Sequence, residues 1–95
     1  MDGKAEYAAE CFWPGVAETD LRALDARVRV SVAAISAEGR PVRYLGSLLM
    51  REDEVVLCQF AGAPDAVREV ADRARIPFER ILETDRSPWS GAETE

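Results

Sequence analysis

The stretch that decides the fold begins Pro41-Val42-Arg43-Tyr44-Leu45-Gly46-Ser47-Leu48-Leu49-Met50-Arg51 and turns at Glu52-Asp53. It returns as Glu54-Val55-Val56-Leu57-Cys58-Gln59-Phe60-Ala61-Gly62-Ala63-Pro64. Two β-rich runs flank a short charged connection, which reads as a hairpin even though its turn lacks the usual glycine. The pattern predicts strands over 42–51 and 54–62. Both runs are apolar on both faces. In the first, Val42, Tyr44, Gly46, Leu48 and Met50 alternate with Arg43, Leu45, Ser47, Leu49 and Arg51. A sheet with one wet face alternates more cleanly than this. The hairpin therefore needs two coverings, with helices supplying one and a partner sheet the other.

Downstream, Gly62-Ala63-Pro64 closes the hairpin and opens a helix, with Pro64 in the first helical position and Asp65 in the first turn. Val67, Val70, Ala71 and Ala74 form its narrow apolar stripe, and Pro77 ends it. Phe78 to Thr84 then reads as a short strand, whose brevity and leading proline suit a sheet edge. Residues 86–95, with Trp89, read as a solvated tail.

Upstream, Leu21, Leu24, Val28, Val32 and Ile35 step by three, four, four and three residues, which marks one face of a helix over 18–38. Glu18 and Asp20 suit its first turn, while Thr19 and Ala17 compete for the N-cap. Gly39 suits its C′ position. Ala5 to Trp13 reads as a first strand closed by Pro14-Gly15, with its alanines leaving a helix as the alternative. Residues 1–4 read as frayed.

The resulting order, β-α-β-β-α-β, is that of an α+β ferredoxin-like sandwich occupying residues 1–85 as a single domain. Right-handed crossovers place the first and third strands at the centre of a four-stranded antiparallel sheet, with both helices on one face. The opposite face carries large apolar groups. A homodimer closed through that face, a dimeric α/β barrel, is the expected way to cover them.

Composition narrows the function. The 95 residues carry a formal charge of −6, which argues against nucleic acid and anionic membranes as partners. No run approaches the ~18–20 apolar residues of a membrane span, and the start of the chain is polar, so a cytoplasmic location is expected. There Cys11 and Cys58 would stay reduced. The chain has no histidine, and so lacks the commonest general base and the commonest transition-metal ligand.

The remaining candidate chemistry is sparse. Glu10 lies in an apolar run of a central strand, where it needs a partner such as Arg43 or Tyr44. Tyr44 and Ser47 can offer hydroxyls to one cavity. Cys11 and Cys58 fall on neighbouring strands, about three residues apart along the ladder or roughly 10 Å, too far for a disulfide. Glu52-Asp53-Glu54 reads as a solvated turn. Nothing resembles a phosphate loop, a nucleophile elbow or a CxxC site.

Glu10 with Trp13-Pro14-Gly15, then Val42-Arg43-Tyr44-Leu45-Gly46-Ser47, resembles a family of small bacterial proteins with a nickel-binding, ferredoxin-like founding member. Asp53-Glu54, Cys58, Phe60, Ala63-Pro64, Arg73-Ala74 and Pro77-Phe78 extend the resemblance over residues 5–84. It implies a dimeric α/β barrel and, for at least one member, divalent nickel. Here a nickel ion would fall to Cys58 and Glu10, since imidazole is absent. Ala17 and Ala63 stand where the family often carries a capping hydroxyl. Arg75 stands where a helix-ending glycine is usual, which implies a left-handed backbone there. The expected function is small-ligand or metal binding in a homodimeric barrel, with Glu10, Tyr44, Ser47 and Cys58 lining the site. A cofactor-free monooxygenase, isomerase or cyclase and a structural or regulatory interaction protein are the alternatives, the enzyme by fold analogy alone.

Overall fold

The computed structural model describes residues 5–85; the tail at 86–95, Trp89 and residues 1–4 lie outside the described residues. The element order is β1 (Glu6–Phe12), α1 (Glu18–Ala37), β2 (Val42–Met50), β3 (Val55–Gly62), α2 (Pro64–Arg73) and β4 (Arg80–Thr84). The strands form one antiparallel sheet in the order β2-β3-β1-β4, so β1 and β3 are central. This is the ferredoxin-like arrangement.

Register sorts the side chains onto two faces. Ala9 and Cys11 of β1 and Val56, Cys58 and Phe60 of β3 pack with Leu24, Val28 and Ile35 of α1 and Val67 and Val70 of α2 in one buried core. Phe60, wholly buried, is the largest side chain in it. Apolar burial of this kind is the main term holding the helices to the sheet. Three polar ties add direction. Ser36 Oγ donates to the Val42 carbonyl at 3.3 Å, Arg27 Nε donates to the Ala74 carbonyl at 2.8 Å, and Arg73 bridges to Glu38 at 3.1 Å.

The helix ends follow local chemistry. Ala17, not Thr19, is the N-cap of α1, and its N–H donates to the Asp20 carboxylate at 2.8 Å, replacing the missing hydroxyl cap in part. Gly39 and Arg40 close α1 with bonds to Ser36 and Ile35, and Arg75 and Ile76 close α2 with bonds to Asp72 and Ala71. Both are Schellman closures. The second places Arg75 at φ 57°, the left-handed backbone that the missing glycine implied. Arg75→Gly should relieve that strain against a greater loss of chain entropy, stabilising the fold by at most about 1 kcal/mol. A small rise in thermal midpoint checks this, and a fall would contradict it.

Two boundaries differ by more than one residue from the sequence reading. α2 ends at Arg73, ahead of Pro77, because the closure at Arg75 stops it first. β4 starts at Arg80 because Phe78 N–H is spent on the Ile76 carbonyl, and pairing with β1 resumes with Glu79 N–H on the Glu10 carbonyl. The hairpin connection occupies Arg51 to Glu54, where Glu54 itself takes the left-handed conformation (φ 55°) that a glycine usually supplies. Glu54 also pins the β1–α1 loop: its carbonyl accepts Trp13 N–H at 2.8 Å, and its carboxylate accepts Gly15 N–H at 3.1 Å.

One irregularity positions the candidate site. Tyr44 pairs with Phe60 and Gly46 pairs with Gln59, so Leu45 is an extra, unpaired residue, a β-bulge. Gly46 adopts φ +119°, which side-chain-bearing residues rarely reach.

Candidate functional site

The bulge puts Tyr44 and Ser47 on the same face of the sheet. Simple alternation separates residues three apart; the extra residue at Leu45 restores them to one side, under α1. There both hydroxyls meet Asp25. Tyr44 donates to Asp25 Oδ1 at 2.5 Å and Ser47 donates to the same oxygen at 3.2 Å. Phe60 supports the tyrosine ring from β3, with ring centroids 5.1 Å apart. Cys58, opposite Ser47 in the ladder, lies beneath this group.

Sequence reasoning passed over Asp25. A signal existed: Leu21, Asp25, Val28 and Val32 share helical spacing, so a carboxylate stands inside an otherwise apolar stripe. Such a group needs a partner from the sheet below it.

The electrostatics keep the Tyr44 hydroxyl and the Cys58 thiol protonated. Burial, and then the hydrogen bond to Asp25, push the Tyr44 hydroxyl well above the usual tyrosine range. The neighbouring Cys11 thiol, and then burial, push the Cys58 thiol far above the ordinary thiol range. That same contact lowers Cys11, while burial and the charges of Glu79 and Glu10 act against its ionisation. Both cysteines are free thiols with no exposed surface. Cys58 faces Ala9, so Cys11 is two positions away along the ladder on the same face, not three as the strand midpoints implied. The two thiols are diagonal neighbours in the ladder, and the Cys11 thiol donates to the Ala9 carbonyl at 4.0 Å.

Glu10 stands apart from the other three predicted residues. It alternates with Ala9 and Cys11, so it projects from the opposite, helix-free face. Its partner is neither Arg43 nor Tyr44 but Arg80, directly opposite on β4, whose Nε lies 2.5 Å from Glu10 Oε1. Cys58 and Glu10 therefore point away from each other across the sheet and do not form one donor set. Among the described residues no group of three or more cysteine and carboxylate side chains is placed to hold a metal ion. The residues present do not fit a nickel centre.

Beside the Asp25 group a groove opens between α1 and the edge strand β2. It has a volume of about 440 Å³, with Val32, Ala33, Val42 and Leu45 as its apolar lining and Tyr44 in its wall. Small-ligand sites commonly begin at about 300 Å³ and combine an apolar lining with a few polar groups. The other face of the sheet is different in kind. Met50, Val55 and Phe12 form one row across β2, β3 and β1, and Leu48 and Leu57 form the next, beside Glu10 and Arg80. Phe12, Leu48 and Met50 are exposed.

No protein-family model and no curated protein matches the chain. A solved structure similar to it is that of SCO4226 from Streptomyces coelicolor A3(2). The two share 18% sequence identity with a TM-score of 0.67, over 88% of this chain and 100% of the other. At that identity the likeness shows the ferredoxin-like fold. Among the described residues no helix is long and apolar enough to cross a membrane.

Proposed function

We propose that this chain is a small-ligand-binding subunit that pairs through its open sheet face into a homodimer. The observation that carries the reading is the groove between α1 and β2, with Tyr44 joining its wall to the Asp25 group. Hydroxyls that share one carboxylate hold the wall in a single arrangement, which lowers the ordering cost of binding. Binding fits these residues better than catalysis does. Tyr44 and Cys58 are both held protonated, so neither serves as a base or thiolate nucleophile at neutral pH.

The test is a library of small neutral, cationic and anionic compounds, followed by amide NMR spectra of the isotope-labelled protein. Saturable shifts at 29–33 and 42–47 are the expected result. Hits that shift only the open sheet face, or a library without hits, would overturn the reading.

For the dimer, the motive is the clustering of Phe12, Leu48, Met50 and Leu57 on one uncovered face. A two-fold axis lets one such patch cover its own copy. Leu57→Glu introduces a charge at the centre of the patch and should shift the mass in light scattering from two chains to one, with the helical content unchanged. A wild-type chain that is already monomeric at the same concentration would sink the pairing. The two free, buried thiols suit a reducing compartment, and we place the protein in the cytoplasm on that ground.

A further inference from the structure

The helix-free face of the sheet has a tall end and a low end. At the tall end the rows of Met50 and Leu48 expose large apolar side chains. Beyond them Gly46, Gln59 and Ala8 lie in one row across β2, β3 and β1. Arg43, Ala61, Glu6 and Thr84 form the last row, across all four strands. Ala8 and Ala61 do not belong to the core beneath the helices, yet they are only 2% and 4% exposed. Short residues are buried there because taller neighbours stand around them, so the surface dips. A Cβ at Gly46 would meet nothing within 4 Å, which leaves the dip open toward β2.

The chain passes out of the described residues at this dip. Thr84 ends β4 opposite Glu6, and Thr84 and Asp85 line a hollow of about 140 Å³ with Glu6 and Gln59. A cavity of roughly 150 Å³ accommodates a benzene ring. Residues 86–95 follow, and Trp89 is their one large apolar side chain. It stands five residues beyond Thr84, a reach of up to about 17 Å. From β4 to β3 is two strand spacings, about 10 Å. Pro88 favours an extended Ser87, which suits a segment crossing the strands. Charge runs in the matching order. Along the last row Glu6 stands on β1 and Arg43 on β2, with Ala61 between them. In the segment Arg86 precedes Trp89 and Glu93 follows it.

We propose that residues 86–93 cross the low end of this face of their own chain, with Trp89 seated over Ala8 and Ala61. The indole lies on the two methyl groups and donates its N–H to the Gln59 side-chain oxygen, as a buried ring with one donor requires. Arg86 then faces the Glu6 carboxylate, and Glu93 faces the Arg43 guanidinium. A second copy fits this end less well, because the tall rows meet first and hold it off the alanines. The strap leaves the rows of Leu48 and Met50 bare for that copy. It goes beyond the ligand-binding reading and does not depend on it.

The test uses the full chain, in which Trp13→Phe leaves Trp89 as the single tryptophan. Acrylamide should quench Trp89 roughly threefold more slowly than it quenches N-acetyltryptophanamide, because the ring is buried. That protection should persist on dilution. Ala61→Gln fills the dip from an uncovered face, so it should keep the wild-type circular dichroism and return Trp89 to the quenching of the free compound. In the isotope-labelled protein with Trp13 intact, Trp89→Ala should move the amides of 6–8, 43 and 59–61. It should leave those of 29–33 in place and the light-scattering mass unchanged. A Trp89 quenched as fast as the free compound, or one still protected in Ala61→Gln, would overturn the proposal. So would shifts at 29–33, which would seat the ring in the α1–β2 groove. Protection lost on dilution, or a mass altered by Trp89→Ala, would give the ring to the partner copy and overturn it as well. A monomeric mass with Trp89 still protected would remove the dimer and uphold the strap.

Discussion

Phe60→Ala is expected to destabilise the protein by about 3–5 kcal/mol, measured by urea or thermal unfolding. Phe60 has no exposed surface, lies on the central strand β3 and packs at 5.1 Å from the Tyr44 ring. Truncation removes the transfer free energy of the ring and leaves a cavity between the sheet and α1. For a domain of this size each kcal/mol lowers the midpoint by roughly 4–8 °C. Phe60→Leu keeps most of the volume and should cost far less, below about 2 kcal/mol. The consequence reaches the site as well, since the Tyr44 ring loses its support. A loss under about 1 kcal/mol for Phe60→Ala would mean that the ring is not at the centre of the core.

Asp25→Ala should cost about 1–3 kcal/mol, because it leaves two hydroxyls without their shared acceptor beneath α1. A cycle with Tyr44→Phe should show a coupling of about 0.5–3 kcal/mol, the mark of residues in one hydrogen-bonded set. Independent effects would remove Asp25 from the site. The pH dependence has a definite sign. The folded Tyr44 hydroxyl titrates above its unfolded value of about 10, so its contribution is complete below that pH. As pH rises further the unfolded chain releases the proton first, and stability is lost. Tyr44→Phe should lessen that alkaline fall without abolishing it, because the Cys58 thiol is raised in the same sense.

The elements themselves were legible. The three-and-four stepping from Leu21 to Ile35 and the breakers at Pro14-Gly15, Gly39 and Gly62 to Pro64 are local signals, and they placed every strand and helix in order. The central position of β1 and β3 followed from crossover handedness, which is a general property of L-amino-acid chains. The left-handed Arg75 was implied only by the resemblance, whose pattern has a helix-ending glycine there; the periodicity of α2 by itself ran on to Pro77. The site was legible only in part. Tyr44, Ser47 and Cys58 do cluster, but Glu10 is on the other side of the sheet with Arg80, and Asp25 was not among the residues singled out.

The hairpin of residues 41–64 shows where the boundary lies. Its residue types determined two strands, apolar on both faces, and with the flanking helices they determined a ferredoxin-like sandwich. They did not determine which side chains share a face, because alternation assigns faces only while the ladder is regular. One unpaired residue, Leu45, reverses the count, and the positive φ of Gly46 was invisible in the one-dimensional pattern. Tertiary structure alone therefore decided that Tyr44 and Ser47 meet on Asp25. The physical reason is that a bulge is set by how two strands and a helix pack together, not by the preference of any residue within it.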